Sequence, residues 1–351
     1  MYAQNSELEF AVMFNRRTLF VCGAGTSFEA GLPLGVGLAK AIATKMDVRF
    51  TQGGYQQAGG GDFGLYDDIK QALPNQQNEY QRAAWLIRDG LGFAQSIDDF
   101  LDQHRSNAQV NAYGKAAIVK AALEAEQESE LYFNPFEGGR FRGEELANTW
   151  FVKFMYMLGR GIPKENVRQI FDNVAFIVFN YDRCIEYFLL HALQRLYSIG
   201  ENEAAAIMDD LSIIHPYGSI GSLREVPFGT TRANYVALAK GIRTYTEQVG
   251  ETAGEIAAEV ALAKCIVFLG FAYHSQNLQI IRPEPLIPTI PMYGTAYKMS
   301  ESDVHVVSRR LVDFLLPNVS VQNRRSQISL ENKLTCSDLF DNYARSLTGG
   351  D

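Results

Sequence analysis

Two periods of apolar spacing alternate along this chain. Thr18-Leu-Phe-Val-Cys22, Asn173–Phe179, Leu211–Ile214 and Cys265–Leu269 are short, nearly continuous apolar runs. Runs of this kind suit strands buried on both faces of a parallel sheet. Between and beside them the spacing predicts helices over 4–15, 34–46, 181–197, 231–245 and 251–263. Each apolar run ends at a glycine or a polar residue: Gly23, Asn180, His215 and Gly270. Strand and helix in alternation, with polar signals after the strands, predict an α/β core.

From 65 to about 170 β-branched runs are nearly absent, and helices are expected over 77–89, 96–105, 110–128, 144–160 and 164–171. The segment 51–64 holds six glycines in fourteen residues and reads as a flexible loop. Pro283, Pro285, Pro288 and Pro291 make 283–292 an extended or edge segment. Helices follow near 301–315 and 336–347. The expected organisation is a core of 1–50 plus 172–300, a helical insertion over 51–171 and a helical C-terminal tail over 301–351.

The length of 351 residues suits about two domains or one core with a large insertion. Hydrophobic residues at 47% are enough to fill a sizeable core. A formal net charge of −8 argues against non-specific nucleic-acid binding, and no sequence-specific nucleic-acid contact is expected. No run approaches the ~18 apolar residues of a membrane span. The opening MYAQNSELEF has no apolar signal core, so a soluble, cytoplasmic protein without a membrane partner is expected. Cys22, Cys184, Cys265 and Cys336 lie far apart with no C-x-x-C pair, which makes a zinc ribbon improbable and a metal site unexpected.

The candidate chemistry sits at the strand ends. Gly23-Ala-Gly-Thr-Ser-Phe-Glu-Ala-Gly31-Leu-Pro33 follows the first strand. Glycines there let a backbone approach a phosphate, and the next helix N-terminus supplies N–H donors. The dinucleotide fingerprint G-x-G-x-x-G is not met, because Phe28 stands at its third glycine. Asn180-Tyr-Asp182 can grip a ribose or a water, or can cap the next helix. His215 can serve as a base near neutral pH, or be structural. Gly270-Phe271 permits close approach of a ligand, or a tight turn.

The ordered set, a G-A-G-T-S-x-x-A-G-L-P string, an Asn-x-Asp and a histidine with a nearby glycine, resembles the sirtuin superfamily of NAD-consuming enzymes. It looks most like the zinc-free sirtuin-like domains of bacterial anti-phage defence proteins. The resemblance implies a Rossmann-like sheet. It implies that Gly23, Ala24, Gly25, Thr26, Ser27, Gly31 and Pro33 wrap the NAD pyrophosphate and a ribose. Asn180 would orient the nicotinamide ribose and attacking water, Asp182 would support that loop, and His215 would be the base. Gly218 and Ser219 would add cofactor contacts, and Gly270 and Phe271 would sit by the adenosine half.

The departures from the deacylases are specific. Leu34-Gly-Val36 stands where Asp-Phe-Arg is usual, Phe179 replaces a glutamine, Pro216-Tyr217 separates His215 from its glycine, and the four zinc cysteines are missing. They weaken protein deacylation and leave NAD cleavage. The implied function is a gated NAD glycohydrolase that depletes NAD during phage infection. The implied setting is a homo-oligomer with a separately encoded HerA-type ATPase or a phage-derived trigger. The alternatives are an NAD-dependent deacylase or ADP-ribosyltransferase, and a non-catalytic nucleotide-binding module.

Overall fold

A computed structural model describes residues 14–49, 60–73, 77–134, 138–247 and 251–348. The expected helix over 4–15 and most of the glycine loop lie outside the described residues. Among the described residues six strands form one sheet: β1 (Thr18–Cys22), β2 (Val174–Val178), β3 (Ser212–Ile214), β4 (Cys265–Leu269), β5 (Met292–Thr295) and β6 (Ile328–Glu331). Their order is β3-β2-β1-β4-β5-β6, and every neighbouring pair is parallel. This is the order of a doubly wound, Rossmann-like sheet, and it reverses direction between β1 and β4.

The strands are apolar on both faces because helices cover both. Leu19, Val21, Ala175, Ile177, Ile266 and Phe268 point into one core. Phe20, Cys22, Phe176, Val178, Val267 and Leu269 point into the other. The period of two along each strand thus divides one apolar run between two layers.

The helices begin with α1 (Ala24–Phe28), α2 (Gly35–Lys45), α3 (Phe63–Ala72), α4 (Gln77–Gly90) and α5 (Ile97–Gln103). Next come α6 (Ala108–Glu128), α7 (Trp150–Gly159), α8 (Cys184–Tyr197), α9 (Glu201–Met208) and α10 (Tyr235–Leu238). The last five are α11 (Glu251–Leu262), α12 (Ser275–Ile280), α13 (Glu301–Val312), α14 (Val321–Arg325) and α15 (Cys336–Thr348). Among the described residues no helix is long and apolar enough to cross a membrane.

The described residues of 51–171 do not stand apart from the core. Residues of α3 to α6 bury with the first face of the sheet, while α7 buries with the second. Trp150 and Phe154 of α7 meet Phe340 of α15 in one aromatic cluster, and Phe154 also meets Phe20 of β1. The C-terminal segment is largely helical, as expected, but it also supplies β6 as the sheet edge. The proline segment expected over 283–292 leads into β5, which pairs with β4 and β6 and so is not an edge.

Two expected helices are interrupted. Residues 231–245 hold only the short α10 and a 3-10 turn, because Ile242 bridges antiparallel to Gly218. Residues 144–160 divide into a 3-10 turn at Gly143–Leu146 and α7. The break has a cause in Glu29, whose carboxylate accepts the Trp150 N–H at 2.8 Å. It also accepts the Ser337 N–H at 2.8 Å, so one side chain caps two helix N-termini. Burial raises the Glu29 pKa, against these two bonds, which lower it.

Candidate functional site

The C-terminal ends of β1, β2 and β4 converge at the reversal of strand order. There the Gly23 N–H donates to the Leu269 carbonyl and the Phe179 N–H to the Cys22 carbonyl. The glycines make the convergence possible. A Cβ on Gly25 would lie 2.5 Å from the Gly270 Cα, and one on Gly270 would lie 2.3 Å from the Thr26 nitrogen. Gly270 also has φ +53°, in the region that favours glycine. The two glycine turns therefore pack backbone against backbone.

Asn180 locks this arrangement from the β2 side. Its Nδ2 lies 3.1 Å from the Gly23 carbonyl, 3.2 Å from Thr26 Oγ1 and 3.0 Å from Ser27 Oγ. Nδ2 is consumed by these contacts, and Oδ1 is the amide atom left for a ligand. Asp182 Oδ1 accepts Ser27 Oγ–H at 2.8 Å and the Cys184 N–H at 3.2 Å. It thus caps α8 and ties that helix to the glycine string. Burial raises the Asp182 pKa, opposed by its bonds with Cys184 and Ser27.

A cavity of about 200 Å³ opens here. Gly23, Ala24, Pro33, Asn180, Asp182 and Phe271 line it, as the sequence leads one to expect. Gly25, Thr26, Ser27 and Gly270 stand behind that wall and shape it through the contacts above. Gly31, at φ +91°, ends the turn after α1. Gly218 and Ser219 are not on the wall either. Gly218 packs against the 239–242 segment, where a Cβ would lie 1.8 Å from the Gly241 carbonyl oxygen.

His215 is drawn away from the cavity. Its Nδ1 lies 3.2 Å from the Asn180 carbonyl oxygen, and its Nε2 lies 2.8 Å from Glu186 Oε1. Both partners are acceptors, so a ring that satisfies both carries two protons. Burial opposes that charge, and Glu186 overcomes it, so the net pKa is raised. A ring held this way positions the Asn180 backbone, with both nitrogens engaged by acceptors.

The wall also contains residues that the sequence does not single out. Gln95, Asp98 and Asp99 come from the entry to α5, and His274 from beyond β4. The Tyr181 hydroxyl donates to Asp98 Oδ1. Gln95 Nε2 lies 2.7 Å from His274 Nδ1. Burial pushes the Asp98 carboxyl up to about 6, against the Tyr181 bond, which lowers it. Burial lowers the His274 pKa, with Asp99 acting the other way. A position a few residues past β4 is the one signal that marks His274. For Asp98 there is none, since Ser96-Ile-Asp-Asp99 reads locally as a helix cap, which Ser96 Oγ indeed provides to the Asp99 N–H.

Beneath the site, Arg183 and Glu126 form a buried pair, 1% and 0% exposed. Arg183 Nε and Nη2 reach the two Glu126 oxygens at 3.0 and 2.6 Å. Glu126 lies in the last turn of α6, so this pair fastens the helical insertion under the Asn180–Asp182 loop.

Neither a scan against protein-family models nor a search of curated proteins finds a match for this chain.

Proposed function

We propose that this protein is an NAD glycohydrolase, cleaving the nicotinamide–ribose bond with water to give nicotinamide and ADP-ribose. The observation that supports it is the position of the cavity. It lies at the reversal of a β3-β2-β1-β4-β5-β6 sheet, where doubly wound folds take dinucleotides, and Asn180 and Asp182 line it.

The residues fit the task. Nicotinamide leaves as a neutral molecule, so little acid catalysis is needed. What is needed is a held ribose, an environment for its developing positive charge and a place for water. Asn180 Oδ1 is suited to a ribose hydroxyl or water, and the carboxylates around it favour positive charge. At about 200 Å³ the cavity is below the ~300–1,000 Å³ of typical small-molecule sites. A dinucleotide therefore requires the cavity to widen. The small volume favours water over a protein as acceptor, which sets hydrolysis ahead of deacylation or ADP-ribosyl transfer.

Depletion of NAD in defence against phage, a homo-oligomer and a HerA-type or phage-derived activator rest on the family resemblance. Restraint of activity accords with the small cavity. Incubation with NAD, followed by chromatography of nicotinamide and ADP-ribose, tests the activity. Mass shifts on acetylated or acceptor peptides in place of ADP-ribose would favour the transferase reading.

A further inference from the structure

We propose that Asp98, supplied by the helical insertion, is the catalytic base of this site. The proposal rests on the glycohydrolase reading and assigns a role that the sequence resemblance gives to His215.

Three observations carry it. His215 lies off the cavity wall, with both ring nitrogens engaged by acceptors. Asp182 is on the wall, but its Oδ1 accepts two bonds, from Ser27 and Cys184, where Asp98 Oδ1 accepts one side-chain bond, from Tyr181. Asp98 lines the same cavity of about 200 Å³ as Asn180. The Tyr181 hydroxyl, its hydrogen-bond partner on the core side, belongs to the same strand-end loop as Asn180. The insertion thus delivers a carboxyl directly to the residues that would hold the ribose.

In the reaction, water oxygen bonds to the ribose C1′. The C1′–N bond breaks, and its electron pair leaves on nicotinamide. One water proton passes to the Asp98 carboxylate and then to solvent. Nothing is oxidised or reduced.

The groups facing Asp98 are Tyr181 after β2, Tyr217 after β3, His274 after β4 through Gln95, and Asp99 on its own helix. Asp102 and Glu247 lie further out and act on the two tyrosines. With its carboxyl at about 6, Asp98 is ionised at neutral pH and protonated in mild acid. Turnover should therefore fall as pH drops through that value.

The test measures nicotinamide release from NAD across pH 5–9 and NAD binding by calorimetry, on the full chain. Asp98→Asn should lower turnover ~100-fold or more, the usual worth of a general base, while NAD still binds. Tyr181→Phe, which keeps the carboxyl, should move the acid limb to higher pH, because the lost hydrogen bond favours the ionised form. Circular dichroism of both variants checks the fold. If Asp98→Asn cleaves NAD within threefold of the parent, or Tyr181→Phe leaves the limb in place, the assignment fails and the glycohydrolase reading stands. If the parent protein binds NAD and leaves it whole, both fail.

Discussion

Arg183 faces Glu126 through two contacts of 3.0 and 2.6 Å, with both side chains removed from water. The remaining acceptors and donors are matched as well. The Gly229 N–H meets Glu126 Oε2 at 2.9 Å, and the Arg183 N–H meets Oε1 at 3.0 Å. Removing one partner leaves the other charge buried and unpaired. Arg183→Met should therefore cost about 3–5 kcal/mol, measured by urea denaturation. A loss under ~1 kcal/mol would show that the pair behaves as an exposed one.

The pair formed by His215 and Glu186 makes stability depend on pH. The folded pKa of His215 is raised, so its contribution is fully present below the unfolded value near 6.5. It is lost as pH rises through the raised folded value. Glu186→Gln should lower the melting temperature most at pH 6, with the difference shrinking by pH 9. An equal difference at both pH values would mean that the ring is neutral throughout.

His215 as a positioning residue makes a separate prediction. His215→Gln should lower kcat through the Asn180 loop and leave the acid limb near pH 6 where it is. Disappearance of that limb would return the base to His215.

Glu29 caps α7 and α15 together. Glu29→Ala should cost about 1–4 kcal/mol, from two caps at ~0.5–2 kcal/mol each. Thermal unfolding measures it, and a shift no larger than that of an exposed Glu201→Ala control would remove the capping role.

Gly270 has no room for a side chain. Gly270→Ala should destabilise by more than ~1 kcal/mol, since φ is positive and Thr26 is 2.3 Å from the new Cβ. NAD affinity should fall with it, because the same contact shapes the Gly23–Ser27 turn. Unchanged stability and affinity would show that the two turns part easily.

β1 and β4 are legible in the sequence to the residue, because both are central strands whose two buried faces demand unbroken apolar runs. β5 and β6, Met-Tyr-Gly-Thr and Ile-Ser-Leu-Glu, are short, mixed in polarity and near the sheet edge. Their pairing comes from the sheet and not from local pattern. That Asn180, Asp182 and the glycine string meet at one end of the sheet is legible because each follows a strand, and parallel strands put their C-terminal ends on one side. Asp98, Gln95 and the Arg183–Glu126 pair are not, since each depends on how a distant helix returns to the core. His215 misleads for the same reason: its position after β3 is right, but Glu186 on α8 captures the ring.

The most direct test of the central claim is nicotinamide released from NAD by the parent protein and by Asn180→Ala, with folding checked in both. Release by the parent and at least a ~100-fold loss in the variant is the expected result. Equal release by the two proteins, or a parent that binds NAD without cleaving it, would contradict the account.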